Sequence, residues 1–139
     1  MIWPNFKLAI RKTVLLDESK ILIYVVDDDS SVRQALEMLL ISADMEVKTF
    51  ERGEDFLKCK RREEKACLIA DITMKGLGGL ELQQQLTEMG IKIPIIFFTA
   101  ADSNECRQQA KQAGAVGYLR KPVDDQVLLD LIQWALSNA

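Results

Sequence analysis

Three consecutive carboxylates, Asp27, Asp28 and Asp29, follow directly on an apolar run at residues 21–26 and directly precede a helix-like stretch. A fourth, Asp71, closes a second apolar run at residues 67–70. One acid at the end of a buried strand is common, but several converging on one place repel one another. They stay ionised only where a cation or a basic side chain compensates. The chain supplies Lys121 just beyond a further apolar run, and its acids are oxygen donors suited to a hard divalent ion. Such a set reads as a phosphoryl-transfer site.

Composition narrows the chemistry further. The chain has no histidine, which removes triads with a His base, most catalytic zinc sites and any phosphohistidine donor. Its three cysteines, Cys59, Cys67 and Cys106, are widely spaced and make no zinc pattern. At 139 residues, 48% hydrophobic and 28% charged, the chain is of a size and balance for one globular domain. A net charge of −3 gives no footing for nucleic acid. The basic cluster Lys58, Lys60, Arg61 and Arg62 runs straight into Glu63 and Glu64, as a solvated loop does. No apolar run approaches the roughly 20 residues of a membrane span, and the N-terminus lacks a secretory pattern. With unpaired cysteines, the expected location is a reducing cytoplasm, with no membrane partner.

These residues need elements to position them. Residues 21–26 form a near-continuous apolar strand of the type buried on both faces of a parallel sheet. Ser30 is placed to cap a helix carrying Val32, Leu36, Leu39 and Ala43 at helical spacing. A short strand at 47–50, a short helix at 51–58 and a strand at 67–70 follow. The loop Gly76-Leu77-Gly78-Gly79 opens a helix at 79–89 that Gly90 ends. A strand at 94–99 starts on Pro94. A helix at 102–113 has only a thin apolar stripe (Cys106, Ala110, Ala113) and stops at Gly114. The fifth strand is 116–119, and Asp124 or Asp125 starts a last helix with Leu128, Leu131, Ile132 and Ala135 on one face. Five strands alternating with five helices predict a doubly wound α/β fold, a five-stranded parallel sheet covered on both sides. Right-handed crossovers bring all strand ends of one kind to one edge, where Asp27, Asp28, Asp71, Thr99 and Lys121 meet. Residues 1–20 stand apart as an N-terminal arm with no assigned role, leaving 21–139 as the domain.

At this point the residues resemble the receiver domain of two-component response regulators. The resemblance runs from Ile21 to about Leu136. It rests on the acidic pair Asp27-Asp28, on Asp71-Ile72-Thr73-Met74 followed by Gly79, on Thr99-Ala100, and on Lys121-Pro122. It implies a flavodoxin-like sheet of order 2-1-3-4-5. Residues 113–123 and 128–132 look closest to receivers that precede a helix-turn-helix output domain. No such domain follows the fifth helix here, so the regulator either stands alone or continues beyond these residues. Lys75 replaces the proline of the family pattern, which puts a more flexible loop and a positive charge near the site.

The resemblance also implies roles. Asp71 is the phosphoacceptor, forming an acyl phosphate. Asp28, Asp71 and the Thr73 main-chain carbonyl hold Mg²⁺ or Mn²⁺, with Asp27 acting through water. Asp29 is no ligand and instead caps the first helix beside Ser30. Lys121 pairs with the phosphoryl oxygens, and a cis peptide bond to Pro122 aims it inward. Thr99 binds the phosphoryl group through its hydroxyl, helped by the Ala100 N–H, and Tyr118 is the switch aromatic. The partners are a histidine kinase or phosphotransfer protein and, on the surface of the fourth helix, fifth strand and fifth helix, a second copy or an output partner.

Bland readings stand beside these: a strand-end Asp capping its loop, a surface Lys, an edge-strand aromatic. Two rival functions use the same residues. A small phosphatase of haloacid dehalogenase type also needs an Asp nucleophile, and residues 25–31 approach its motif. Its later acids, however, follow the Lys, whereas Asp71 precedes both Thr99 and Lys121. The second rival is a pseudo-receiver that binds partners without being phosphorylated; only Lys75 speaks for it. A flavin binder is set aside, because three carboxylates would repel the cofactor phosphate.

Overall fold

Strand β1 (Leu22–Val26) is apolar and buried at every position, as a central strand of a parallel sheet must be. In the computed structural model, which describes residues 19–137, it pairs on one side with β2 (Glu46–Phe50) and on the other with β3 (Ala66–Asp71). Strands β4 (Ile95–Thr99) and β5 (Gly117–Arg120) continue beyond β3. The sheet has order β2-β1-β3-β4-β5, with every pair parallel. Five helices alternate with the strands: α1 (Ser30–Ser42), α2 (Gly53–Lys58), α3 (Gly79–Glu88), α4 (Asn104–Gln112) and α5 (Asp125–Ser137). The α/β class, the helix count and the strand order are those expected. The arm proposed for residues 1–20 lies outside the described residues, except for Ser19 and Lys20.

Alternate residues of β1 serve two cores, as the two-residue period of a strand requires. Leu22, Tyr24 and Val26 pack with Phe56, Leu68, Leu82, Leu86 and Phe97 beneath α2 and α3. Ile23 and Val25 pack with Leu36, Leu40, Ile69, Ile96, Leu128 and Ile132 beneath α1 and α5. Helix α4 differs from the rest: Ala110 is its buried residue.

Local chemistry moves several boundaries. Asp29, not Ser30, is the N-cap of α1, its carboxylate accepting from the Ser31 amide; Ser30 is already helical. Helix α4 starts at Asn104 rather than residue 102, because Ser103 is extended and caps it by accepting from the Cys106 amide. Asp124 caps α5 through the Gln126 and Val127 amides. Pro94 stays outside β4, and β5 begins one residue later than the apolar run suggests. Gly90 and Gly114, at φ +72° and +88°, end α3 and α4 in the left-handed conformation that glycine adopts without a steric penalty. No helix among the described residues is long and apolar enough to cross a membrane.

Register aligns the strand ends. Val26 lies opposite Phe50 and Ala70, Asp71 opposite Phe98, Phe98 opposite Leu119, and Thr99 opposite Arg120. The residues that follow β1 and β5, and those that end β3 and β4, therefore share one edge. Gly79 seats α3 against that edge: a Cβ there would meet the Asp71 carbonyl at 2.5 Å and the Phe97 ring at 3.0 Å. Gly79→Ala should lower stability by about 2 kcal/mol, since sheet backbone cannot yield as a flexible side chain does. Gly90→Ala, where nothing lies within 4 Å, should cost only the left-handed penalty of about 1 kcal/mol. Urea midpoints at an unchanged m-value measure both.

Candidate functional site

The edge gathers Asp27, Asp28, Asp71 and Lys121 into one cluster. Asp27 is fully buried, Asp71 is 6% exposed, and Asp28 lies nearer the surface. Lys121 Nζ sits 2.8 Å from Asp27 Oδ2 and 2.8 Å from Asp71 Oδ2, bridging two acids from different strand ends. Its ammonium group lies 4.6 Å from the centre of the Phe98 ring, a cation–π contact. The Lys121–Pro122 peptide bond is cis.

Main-chain groups complete the cradle. Asp27 Oδ1 accepts from the Asp29 amide at 2.8 Å, and the Asp27 carbonyl accepts from Arg33 Nη1 at 2.7 Å. Asp71 Oδ1 accepts from the Thr73 amide at 3.0 Å. Asp28 Oδ2 accepts from the Lys75 amide at 3.3 Å. One oxygen each from Asp27, Asp28 and Asp71 lies within 4.8 Å of the others. Three close carboxylate oxygens, with no sulfur or imidazole among them, fit a small hard dication.

Thr99 and Tyr118 stand beside this cluster, their hydroxyls engaged elsewhere. Thr99 is buried, and its Oγ1 accepts from the Ala101 amide at 3.0 Å, while its carbonyl accepts from the Lys121 amide at 2.8 Å. Ala100 is exposed at the rim. Tyr118 donates its hydroxyl to Asp102. Four contributors escaped reading from sequence: Arg33, Phe98, and the amides of Thr73 and Lys75. An amide carries no residue signature, and Arg33 and Phe98 read as ordinary helix and strand residues.

A model of the response regulator receiver domain matches residues 23–133. The chain belongs to that family. The transcriptional regulatory protein TdiR of Thauera aromatica is 42% identical over 115 residues, 83% of this chain and 51% of TdiR. The solved structure of response regulator StyR superposes with a TM-score of 0.79 at 44% identity, covering 86% of this chain and 60% of StyR. That of FixJ-N gives 0.79 at 29% identity, covering 86% and 96%. This receiver thus spans about half the length of the curated relatives it matches.

Electrostatics within the receiver are unevenly shared. Burial pushes the Asp27 carboxyl above its ordinary 3.8; the Lys121 and Asp29 hydrogen bonds oppose this, and the charge on Asp71 adds to it. Burial works to lower the Lys121 value, but its hydrogen bonds to Asp27 and Asp71 and their charges outweigh that and raise it above 10.5. For both groups the native state binds the proton more tightly than the unfolded chain. The Asp27 contribution is therefore full below pH 3.8 and is lost as pH rises through its native value. The Lys121 contribution persists up to pH 10.5 and fails above it.

Ionised Asp27 thus opposes folding at neutral pH. In the presence of a chelator at pH 7, Asp27→Asn should raise Tm by roughly 4 °C, the shift that about 1 kcal/mol produces in a domain of this size. The gain should shrink toward pH 3.5, where the wild-type carboxyl also carries its proton. Melting curves across that range decide the matter. A lower Tm for the variant at pH 7 would show that the pair with Lys121 outweighs burial.

Proposed function

We propose that this receiver is a phosphorylation-activated signalling switch that takes a phosphoryl group onto Asp71 from the phosphohistidine of a histidine kinase or a phosphotransfer protein. The observation that carries the reading is the lysine bridge: one ammonium group at 2.8 Å from both Asp27 and Asp71 at a shared strand edge. Asp28, Asp71 and the Thr73 carbonyl would hold Mg²⁺ or Mn²⁺, with Asp27 reached through water. When bound, the ion offsets the repulsion among the acids and the charge of the phosphoryl oxygens.

The remaining chemistry belongs to the chain. A carboxylate oxygen of Asp71 attacks phosphorus; the O–P bond forms as the N–P bond breaks, and the leaving imidazole takes up a proton. Lys121 turns from the acids to the arriving phosphoryl oxygens. The Thr99 hydroxyl turns to donate to one of those oxygens, drawing Oγ1 away from the Ala101 amide, with the Ala100 N–H beside it. Water later cleaves the acyl phosphate to the free acid and inorganic phosphate. No external substrate turns over beyond this cycle, so the role is regulatory rather than enzymatic.

Output would leave through α4, β5 and α5, with Tyr118 following Thr99. On α5, Val127 and Trp134 are exposed, and Leu131 between them packs over Gly117 of β5. That stripe at i, i+4 and i+7 suits a second copy or an output partner. TdiR is a transcriptional regulatory protein, and a similar effect here would be exerted through a partner or a further domain, in the cytoplasm. The net charge of −3 argues against direct contact with nucleic acid.

Intact-mass analysis after incubation with acetyl phosphate tests the reading. A Mg²⁺-dependent, hydroxylamine-labile adduct should form on the wild type and vanish in Asp71→Asn. A folded protein that takes no adduct would be a partner-binding pseudo-receiver, and phosphate release surviving Asp71→Asn would return the chemistry to Asp27.

Lys75 carries a second prediction. A proline has no amide hydrogen, so the Lys75 N–H on Asp28 is a contact that the family's usual residue cannot make. It competes for one of the two oxygens of Asp28, the residue that would hold the cation. Lys75→Ala keeps the amide and removes the charge; Lys75→Pro removes both. By calorimetry the Pro variant should bind Mg²⁺ roughly five-fold tighter than the Ala variant, the worth of one hydrogen bond of about 1 kcal/mol. Equal affinities would leave the amide without a role.

A further inference from the structure

One carboxylate outside the acid cluster ties three elements together. Asp102, in the loop between β4 and α4, accepts from the Tyr118 hydroxyl of β5 at 2.9 Å. The same carboxylate accepts from Arg107 of α4, at 3.0 Å from Nε and 3.1 Å from Nη2. The Asp102 side chain is only 16% exposed within this clasp. The Arg107 hydrogen bond holds its carboxyl below the usual range, with Tyr118 adding to the effect. Tyr118 is pushed up to about 12, chiefly by burial and then by donating to Asp102, so its hydroxyl keeps its proton at neutral pH.

The clasp sits one residue from the reactive edge. Thr99 Oγ1 accepts from the Ala101 amide, and Asp102 is the next residue along the chain. Helix α4 has little else to hold it: Ala110 is its buried residue, and at the far end Gln83 Nε2 donates to the Ala113 carbonyl. It is held at two polar ends rather than by an apolar face.

We propose that Asp102 is a positioning residue, a latch that holds Tyr118 and the first turn of α4 in the unphosphorylated state. Thr99 opens it when its hydroxyl turns to donate to the phosphoryl group and Oγ1 is drawn away from the Ala101 amide. This rests on the phosphoryl switch proposed above. A contact made in one state only sets the balance between the two. Removing it shifts the population toward the activated state and must tighten the binding of a phosphoryl analogue by the same factor.

The test uses the full chain with Asp102→Ala and, as a milder second variant, Tyr118→Phe. Hydrogen exchange of the α4 amides is measured without any phosphoryl group, and beryllofluoride affinity is measured by calorimetry in Mg²⁺. Both variants should exchange faster through α4; Tyr118→Phe should bind beryllofluoride about five-fold tighter, the worth of one hydrogen bond, and Asp102→Ala, which also frees Arg107, at least as much tighter. The double variant should add little to Asp102→Ala, which already removes the Tyr118 contact. Unchanged α4 exchange would overturn the latch, as would unchanged or weaker beryllofluoride binding, since the contact would then exist in both states. If the wild type binds no beryllofluoride and takes no adduct from acetyl phosphate, it is the Asp71 reading that fails. The exchange comparison, which needs no phosphoryl group, then decides the latch by itself.

Discussion

Two carboxylates almost withdrawn from water share one ammonium group, and much of the architecture follows from bringing that group to them. Asp27 follows β1 and Asp71 ends β3, neighbours in the sheet, whereas Lys121 follows β5 at the far edge. Strand β4 lies between. The lysine crosses it over Phe98, whose ring lies 4.6 Å from the ammonium and whose position in register is opposite both Asp71 and Leu119. An aliphatic residue there would fill the core equally well but would offer the cation no negative ring face. Phe98 thus serves the α1/α5 core and the crossing at once.

The sheet holds the acids still while one helix is left loosely held. β1 and β3 are buried throughout, and α3 starts on a glycine pressed against the Asp71 carbonyl. Close packing of this kind does not deform by small degrees. Helix α4 has the opposite construction, with a single small buried residue and polar ties at either end. A segment with few buried apolar contacts opens at low free energy, and segments of this sort are the ones that switches use. Rigidity at Asp71 and slack at α4 are therefore two outcomes of one rule about apolar burial.

How much was legible in the sequence varies with the range of the interaction. Fully apolar strands, helical spacing and acids at strand ends are local patterns, and they gave the alternation and the convergence of Asp27, Asp71 and Lys121. The strand order came from the resemblance, since periodicity does not say which strands are neighbours. Of the two residues read as capping α1, Asp29 does so and Ser30 is already helical, a choice left open because either side chain can accept from the helix amides. Asp102 looked like the start of a helix, the ordinary place for an acid. Its partner Tyr118 lies 16 residues away on another element. The Lys75 amide leaves no mark in the sequence for a different reason: the side chain reads as a charge, while the group that reaches Asp28 belongs to the backbone.

The charge balance at the edge links these features to the chemistry. Among the described residues Lys121 is the cation paired with the carboxylates of this trio, so Asp27, Asp28 and Asp71 set against it leave an excess of two negative charges, the charge of one divalent ion. Burial is the main cause of the raised proton affinity of Asp27, and the charge on Asp71 adds to it, so Asp27 tends to take up a proton where no ion offsets the excess. On the phosphoryl-switch reading proposed above, an arriving phosphoryl group would add negative oxygens beside Asp71, and Lys121, already hydrogen-bonded to that carboxylate, would be the cation within reach of them. If the ammonium group turns to those oxygens, Asp27 loses its partner. The acids would then depend more on the ion than before, so on that reading metal binding and phosphorylation would reinforce each other through the one lysine they share.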